Sequence, residues 1–172
     1  LDAEPHFEVP LFLDPDHSEG LVVGQAAADT TSAPAVLSGY IDRVELTGEG
    51  DVVIVDLKTG KSEPQTDAKV LEHPQLAAYQ LAFESGAIAG TAGLRSGGAR
   101  LLVLRPTSQR DFVTPTQPPF DTERRAAFLA RIRAAVGVMT GESFRAPYEE
   151  HCRDEHSHGL CRIHTIGAVS AS

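Results

Sequence analysis

Two consecutive segments rich in apolar and β-branched residues constrain the fold of this chain most strongly. They are residues 35–46 and the run Asp51-Val-Val-Ile-Val-Asp-Leu-Lys58. Branched side chains pack well on a pleated surface and favour strands. The intervening Thr47-Gly-Glu-Gly50 is a glycine-containing turn. We therefore expect an antiparallel hairpin.

The segments around this hairpin predict three further strands and two helices. Apolar residues alternate near the start, and a turn cluster at 14–20 separates them from the apolar run 21–24, which predicts another hairpin before a loop at 25–34. Apolar side chains recur at helical intervals over 67–84 before Gly86, and 100–105 predicts a fifth strand. Asp121 is the expected N-cap of a last helix, which ends near Met139 before Gly141.

The order of strands, helix, strand and helix predicts the α/β class, with a mixed central sheet flanked by helices. The chain has 172 residues, 41% of them hydrophobic, which suits one globular domain with a sizeable core. It has no run of eighteen apolar residues and no secretory signal, which predicts a soluble, cytoplasmic protein without a membrane partner. Because no methionine precedes the first strand, we expect a piece of a longer protein.

Asp42, Asp56 and Lys58 carry the chemistry in these two strands. Asp56 and Lys58 are two positions apart, so they project from the same face of a strand. Two aspartates with the backbone carbonyl of Leu57 suit a hard cation such as Mg²⁺ and leave positions for phosphate and water. Lys58 would orient or help to deprotonate the attacking water. The alternative is an ordinary solvated strand edge, where an aspartate and a lysine at this spacing are common.

Three ordered motifs make the chain resemble the RecB-like branch of the PD-(D/E)xK nuclease superfamily. They are Gly39-Tyr-Ile-Asp-Arg-Val-Glu45, Val53-Ile-Val-Asp-Leu-Lys-Thr-Gly60 and Gln75-Leu-Ala-Ala-Tyr79. The resemblance implies a restriction-endonuclease-like fold for residues 1–148, without an upstream helix that relatives have. It also implies Mg²⁺ or Mn²⁺ at the site, catalytic roles for the two aspartates and the lysine, and a supporting role near DNA for Gln75 and Tyr79.

Relatives of this kind are found in the bacterial RecB, AddAB and AdnAB helicase-nucleases. The resemblance therefore implies an exonuclease domain that acts on single-stranded DNA delivered by a helicase motor during double-strand break repair. The formal net charge of −9 argues against autonomous DNA binding, since such proteins usually present a basic face. Tethering to a motor that supplies the affinity would remove this objection.

Several residues near the motifs have two interpretations. Tyr79 and Gln75 lie one helical turn apart, and the alternatives to a supporting role are core packing for Tyr79 and solvent exposure for Gln75. Arg43 can meet a phosphate or a carboxylate such as Glu45. Glu8 is either a further active-site carboxylate or a surface glutamate, which we prefer, and His6 is expected to be a solitary exposed histidine.

The tail at residues 149–172 departs from the family pattern. Many relatives hold an iron–sulfur cluster with one upstream cysteine and a terminal Cys-x2-Cys-x5-Cys, whereas this chain has only Cys152 and Cys161, with Glu155 at the middle position. Such clusters require about four cysteines, so we expect none here. Cys152, His156, Cys161 and His164 form a candidate zinc site, and the alternative, which we prefer, is the remnant of a lost cluster.

Three functional hypotheses follow. The first is a metal-dependent deoxyribonuclease. The second is a catalytically weak structural or DNA-guiding module of the same machine, suggested by the acidic charge and the missing cysteines. The third is a small-molecule enzyme with a coincidental Asp-x-Lys. It is disfavoured because the chain lacks a glycine-rich phosphate loop, a nucleophile elbow and a dinucleotide fingerprint.

Overall fold

The computed structural model describes residues 2–13, 20–25, 30–60, 62–105 and 110–142. Residues 1–136 form one compact unit, and a second begins at residue 137, where the description covers only 137–142. The candidate zinc residues of the tail lie outside the described residues. Among the helices of the described part, none is long and apolar enough to cross a membrane.

The larger of two sheets contains five strands in the order β1-β5-β6-β7-β8. Their bounds are β1 Asp2–Ala3, β5 Arg43–Leu46, β6 Asp51–Lys58, β7 Arg95–Val103 and β8 Thr116–Gln117. β6 pairs antiparallel with β5 and parallel with β7, and the other pairs are antiparallel. Residues 52–56 are all buried, because helix packing covers a strand that is already paired on both sides. The predicted mixed central sheet and the α/β class are confirmed.

The smaller sheet is antiparallel, in the order β3-β2-β4. Its strands are β2 His6–Leu13, β3 Leu21–Val23 and β4 Ala35–Tyr40, and a short 3₁₀ helix, Thr30–Ser32, precedes β4. The predicted first hairpin is therefore confirmed by the pairing of β2 with β3. The alternating burial of β4 shows one face packed inward and one open to solvent.

The prediction of one strand over residues 35–46 is wrong. The chain bends at Ile41 and Asp42, so β4 belongs to the smaller sheet and β5 to the larger one. The neighbouring chain bends at the same level, because Glu4 donates its N–H to the carbonyl of Asp42 and adopts a φ of 56°. A non-glycine residue in the left-handed region is uncommon and marks a constrained turn. Asp42 thus lies where the chain passes between the sheets.

The prediction of one helix over residues 67–84 is also wrong. The structure has a single turn, α1 (Asp67–Val70), and then α2 (Pro74–Glu84). Pro74 occupies the first turn of α2, because proline lacks the N–H that a helix interior needs and its ring disfavours helical geometry in the preceding residue. Gly86, with a φ of 74°, ends α2 as expected.

The last helix, α3 (Thr122–Thr140), follows the prediction closely. The Asp121 carboxylate accepts a hydrogen bond from the Arg124 N–H at 2.8 Å, which is N-cap geometry. Phe128 and Val136 are its buried residues. α2 packs against β6 and β7 and also against β2, so its buried side chains join both sheets in one apolar core. This packing brings α2 beside the carboxyl-terminal half of β6.

Candidate active site

Asp42 is exposed at the bend between the sheets, and one of its oxygens is nevertheless fixed. Its Oδ2 accepts a 2.6 Å hydrogen bond from the backbone N–H of Leu57. β5 pairs with β6 only as far as the partners Arg43 and Val55. The side chain of Asp42 therefore takes the place of the next backbone acceptor and attaches the bend to the end of β6.

Asp56 lies in β6 and is only 1% exposed. Its Oδ1 is 3.1 Å from the Tyr79 hydroxyl, and its Oδ2 is 2.8 Å from Nζ of Lys58. That ion pair lacks hydrogen-bond geometry, so Oδ2 accepts no hydrogen bond. A buried carboxylate oxygen without a hydrogen-bond donor is rare, because isolation from water is costly. The Lys58 ammonium supplies the opposite charge, and a bound cation would be a second partner for this atom.

A chain of side-chain contacts runs from Lys58 to the helix α2. Nζ of Lys58 donates to Oε1 of Gln75 at 3.0 Å, and Nε2 of Gln75 donates to the Tyr79 hydroxyl at 2.8 Å. Gln75 and Tyr79 are four residues apart on α2, which places them on one face. Gln75 is half-buried between Lys58 and Tyr79, rather than solvent-facing as in the alternative interpretation of its sequence position.

Tyr79 combines the two interpretations that its sequence position allowed. Its ring is buried in the core and meets Phe7 edge-on, with ring centroids 6.0 Å apart. Its hydroxyl reaches both Oδ1 of Asp56 and the backbone carbonyl of Tyr40 at 3.1 Å. A hydroxyl has one proton, and a carboxylate is the stronger acceptor, so Asp56 is the favoured partner. Burial raises the pKa of Tyr79, and the negative charge of Asp56 raises it further, so the hydroxyl remains a donor.

The backbone carbonyl of Leu57 lies on the side of β6 that faces Asp42. In a parallel ladder, alternate residues turn their N–H and C=O groups toward the neighbouring strand. Lys58 turns toward β7, because its carbonyl accepts a bond from the Leu104 N–H. Leu57 therefore turns its N–H and its carbonyl to the opposite side, where Asp42 accepts the N–H.

The donor set fits a hard divalent cation. It consists of two carboxylates and one carbonyl, which are oxygen ligands of the kind that Mg²⁺ and Mn²⁺ prefer. The buried Oδ2 of Asp56 supplies an oxygen with no competing hydrogen bond. Within the described ranges no group of three or more histidine, cysteine or acidic side chains converges. The remaining positions would thus fall to water and phosphate, as is usual for magnesium sites.

His73 is a neighbour of this cluster that the sequence did not single out. It precedes Pro74 at the N-cap of α2, and its buried Nδ1 has no hydrogen-bond partner. Desolvation lowers the pKa of His73, the charges of Asp56 and Glu63 raise it, and the charge of Lys58 lowers it. The only available signal was its position two residues before Gln75.

The remaining candidates lie outside this set of contacts. Arg43 is 3.0 Å from Oε1 of Glu45, which favours the carboxylate interpretation, and Arg100 contacts the other oxygen of that glutamate. Glu8 is exposed on β2, as the surface interpretation predicted. His6 is exposed but not solitary, because its ring lies 4.8 Å from that of Tyr40.

The fold and the site together define a class of α/β protein with two acidic side chains and a lysine around the carboxyl-terminal end of a central strand in a mixed sheet. The family model of the PD-(D/E)XK nuclease superfamily matches residues 4–162. The chain therefore belongs to this superfamily, and its fold is restriction-endonuclease-like. No curated protein matched the chain in a sequence comparison. Membership indicates nuclease activity on DNA, and nucleases of this superfamily usually use Mg²⁺ or Mn²⁺.

Proposed function

We propose that this chain is a divalent-metal-dependent deoxyribonuclease whose site residues are Asp42, Asp56 and Lys58. The observation that carries the proposal is the environment of Asp56. One of its oxygens faces a tyrosine hydroxyl, and the other is buried beside Lys58 without a hydrogen bond. A carboxylate is expensive to bury, and this one is oriented by its neighbours rather than neutralised completely. The arrangement is explained if Asp56 is held in place as an oxygen ligand for a metal ion.

Asp42, Asp56 and the Leu57 carbonyl would hold the metal. A bound Mg²⁺ or Mn²⁺ supplies a Lewis acid for the scissile phosphodiester and lowers the pKa of a water ligand. The protein fixes these ligands in advance, since the Leu57 N–H orients Asp42 and the Tyr79 hydroxyl orients Asp56. Ligands held before binding reduce the entropy lost when the metal and the substrate are ordered.

Lys58 would act as a positioned cation. Its ammonium donates to Gln75 and pairs with Asp56, so it is held by two contacts from different elements. A protonated lysine in this place stabilises negative charge on the phosphate and orients the attacking water. Gln75 and Tyr79 are positioning residues in this proposal, because they act through Lys58 and Asp56.

The type of DNA substrate and the cellular process are also part of this proposed function. We infer that the substrate is single-stranded DNA, that cleavage is exonucleolytic, and that a linked or partner helicase delivers the strand during double-strand break repair in the cytoplasm. The net charge of −9 supports delivery by a partner, because it removes the electrostatic contribution on which an autonomous DNA-binding domain relies. In this proposal residues 1–148 form the nuclease core, and the tail at 149–172 is a candidate zinc site.

The acidic charge also favours a second candidate function, that of a structural or DNA-guiding module with little catalysis. Cleavage of end-labelled single-stranded DNA by the purified protein, alone and with its helicase, separates the two. The variants are Asp56→Asn and the matched control Asp51→Asn, which alters a carboxylate at the other end of the same strand. Mn²⁺ binding is measured in parallel by titration calorimetry, so that metal affinity is known independently of cleavage.

The nuclease proposal predicts cleavage that requires Mg²⁺ or Mn²⁺ and is abolished by EDTA. Asp56→Asn should lower the rate by about 100-fold or more and weaken Mn²⁺ binding, whereas Asp51→Asn should leave both near the wild-type values. A folded wild-type protein that binds DNA but never cleaves it, with or without the helicase, would support the guiding module. Equal losses in both variants would show that carboxylate removal merely damages the fold.

A further inference from the structure

An aromatic pair lies on the open face of the smaller sheet, close to Asp42. Tyr40 ends β4 and is 66% exposed, although tyrosine is a large side chain that folding usually covers. Its register partner across the strands is His6, and the two rings are tilted by 51° with centroids 4.8 Å apart. The pair therefore presents a partly ordered aromatic surface to solvent.

Tyr40 is linked to the candidate active site by its backbone. Its carbonyl is 3.1 Å from the Tyr79 hydroxyl, the same hydroxyl that reaches Asp56. The position of the tyrosine main chain is thus set by a side chain of the site. The Tyr79 hydroxyl therefore lies between the Tyr40 main chain and the Asp56 carboxylate.

Tyr40 and Asp42 are both exposed, one on each side of the buried Ile41. Gly39 faces the buried ring of Phe7, and Ile41 is fully buried, so both flank Tyr40 on the inner face. Alternation along β4 then directs Tyr40 outward, and Asp42, at the bend that follows, is exposed as well. Two residues span at most about 7 Å of extended chain. Stacked bases along a DNA strand are about 3.4 Å apart, so the ring lies within one or two nucleotides of a phosphate that a cation at Asp42 would hold.

We propose that Tyr40, supported by His6, is a stacking surface for an unpaired nucleobase next to the scissile phosphate. The inference rests on the proposed nuclease function. The stacking surface would give the nuclease site its preference for single-stranded DNA. An aromatic ring binds the face of any base without reading its sequence. In a duplex those faces are covered by neighbouring bases, so only a single strand or a frayed end can use the ring.

This surface also suits the charge of the protein. A strand held by stacking does not depend on basic side chains, which acidic side chains outnumber by 24 to 15 in this protein. Stacking releases few counterions, so the contribution of Tyr40 should change little with salt concentration, unlike that of lysine or arginine contacts to phosphate. Salt dependence therefore distinguishes this surface from an electrostatic one.

Steady-state cleavage of a short single-stranded oligonucleotide tests the proposal with Tyr40→Ala, Tyr40→Phe and Phe112→Ala. Phe112 is a matched control, since it is 54% exposed and lies outside the site. Tyr40→Ala should raise KM by roughly 5- to 100-fold with a smaller effect on kcat, and Tyr40→Phe should restore it. The increase should persist at higher salt and vanish on an oligonucleotide with abasic residues around the cleaved phosphate. Thermal melting verifies that each variant is folded.

A binding measurement separates failure of this inference from failure of the proposed function. Fluorescence anisotropy with labelled oligothymidylate, in the Asp56→Asn background, reports affinity without cleavage. If the wild-type protein does not cleave DNA, the proposed function fails, and weaker binding by Tyr40→Ala would still support the stacking surface. The inference is overturned if Tyr40→Ala leaves KM and affinity unchanged, if the abasic oligonucleotide shows the same defect, or if no oligonucleotide is bound.

Discussion

The backbone N–H of Leu57 donates a hydrogen bond to Oδ2 of Asp42 across a sequence separation of fifteen residues. The bond closes the gap where β5 stops pairing with β6 and where the chain turns toward the smaller sheet. It holds an exposed aspartate beside the strand that carries Asp56. Two carboxylates, one at the bend between the sheets and one in β6, are thereby positioned before a ligand binds.

Asp42→Asn should separate the structural role of this side chain from its role toward a metal. The asparagine oxygen can still accept the Leu57 N–H, so the free energy of unfolding should fall by no more than about 1 kcal/mol. Loss of the charge should weaken Mn²⁺ binding by about tenfold or more. Urea unfolding and titration calorimetry measure the two effects. Unchanged Mn²⁺ affinity would remove Asp42 from the proposed ligand set.

Tyr79→Phe should destabilise the protein while leaving the core packing of the ring intact. The substitution removes a buried hydroxyl that accepts from Gln75 and faces Asp56. We expect the free energy of unfolding to fall by about 1–2 kcal/mol. Urea unfolding at constant m-value gives this difference. Tyr40→Phe is the control, because its ring is exposed, and an equal loss in both variants would contradict the assigned contacts.

Gln117→Met should destabilise the protein, because Gln117 holds the segment between α1 and α2. Gln117 is 1% exposed, and its Nε2 lies 2.9 Å, 3.0 Å and 3.3 Å from the carbonyls of Val70, Leu71 and His73. Methionine fills similar space without a donor, so the Leu71 carbonyl loses this bond, while those of Val70 and His73 keep the backbone bonds from His73 and Ala77. We expect a cost of about 1–3 kcal/mol. Gln65→Met is the matched control at an exposed glutamine. A melting temperature within the scatter of that control would show that the network contributes little.

The stability of the protein should decline in acid partly through His73. Burial lowers its pKa below the ordinary value of 6.5, so the unfolded chain takes up this proton first as pH falls. The resulting stability is present above about pH 6.5 and is lost as pH decreases through the folded-state pKa. His73→Gln should therefore flatten the pH dependence of urea unfolding between about pH 7 and about pH 5. Parallel curves for the two proteins would contradict this prediction.

Local sequence signals were sufficient for the elements that supply the site. The β-branched run at 51–58 became β6, with Asp56 and Lys58 two positions apart on one face. Apolar spacing and Gly86 located the end of α2, and an aspartate cap located the start of α3. These features depend on side-chain shape, alternation and capping, which act over a few residues and can therefore be recognised in a single sequence.

Two breaks were not predicted, because the expected elements were extended through them. Apolar residues continue through Ile41, yet the chain bends there, since β4 and β5 pair with partners in different sheets. Apolar spacing also continues through Pro74, yet the proline begins a new helix. The bend at Ile41 is visible only from the strands that pair on each side of it. The break at Pro74 had a local signal, the proline, but the prediction followed the apolar spacing instead.

The sequence by itself determined which residue types could form a metal site and which strands carry them, because backbone conformation and alternation are local properties. The tertiary structure decided how those residues meet. It placed Asp42 beside Leu57, turned Tyr79 toward Asp56 and put Gln75 against Lys58. It also left Tyr40 exposed beside the site. These contacts join segments distant in sequence, and they depend on how two sheets and a helix pack around one core, which no local pattern specifies.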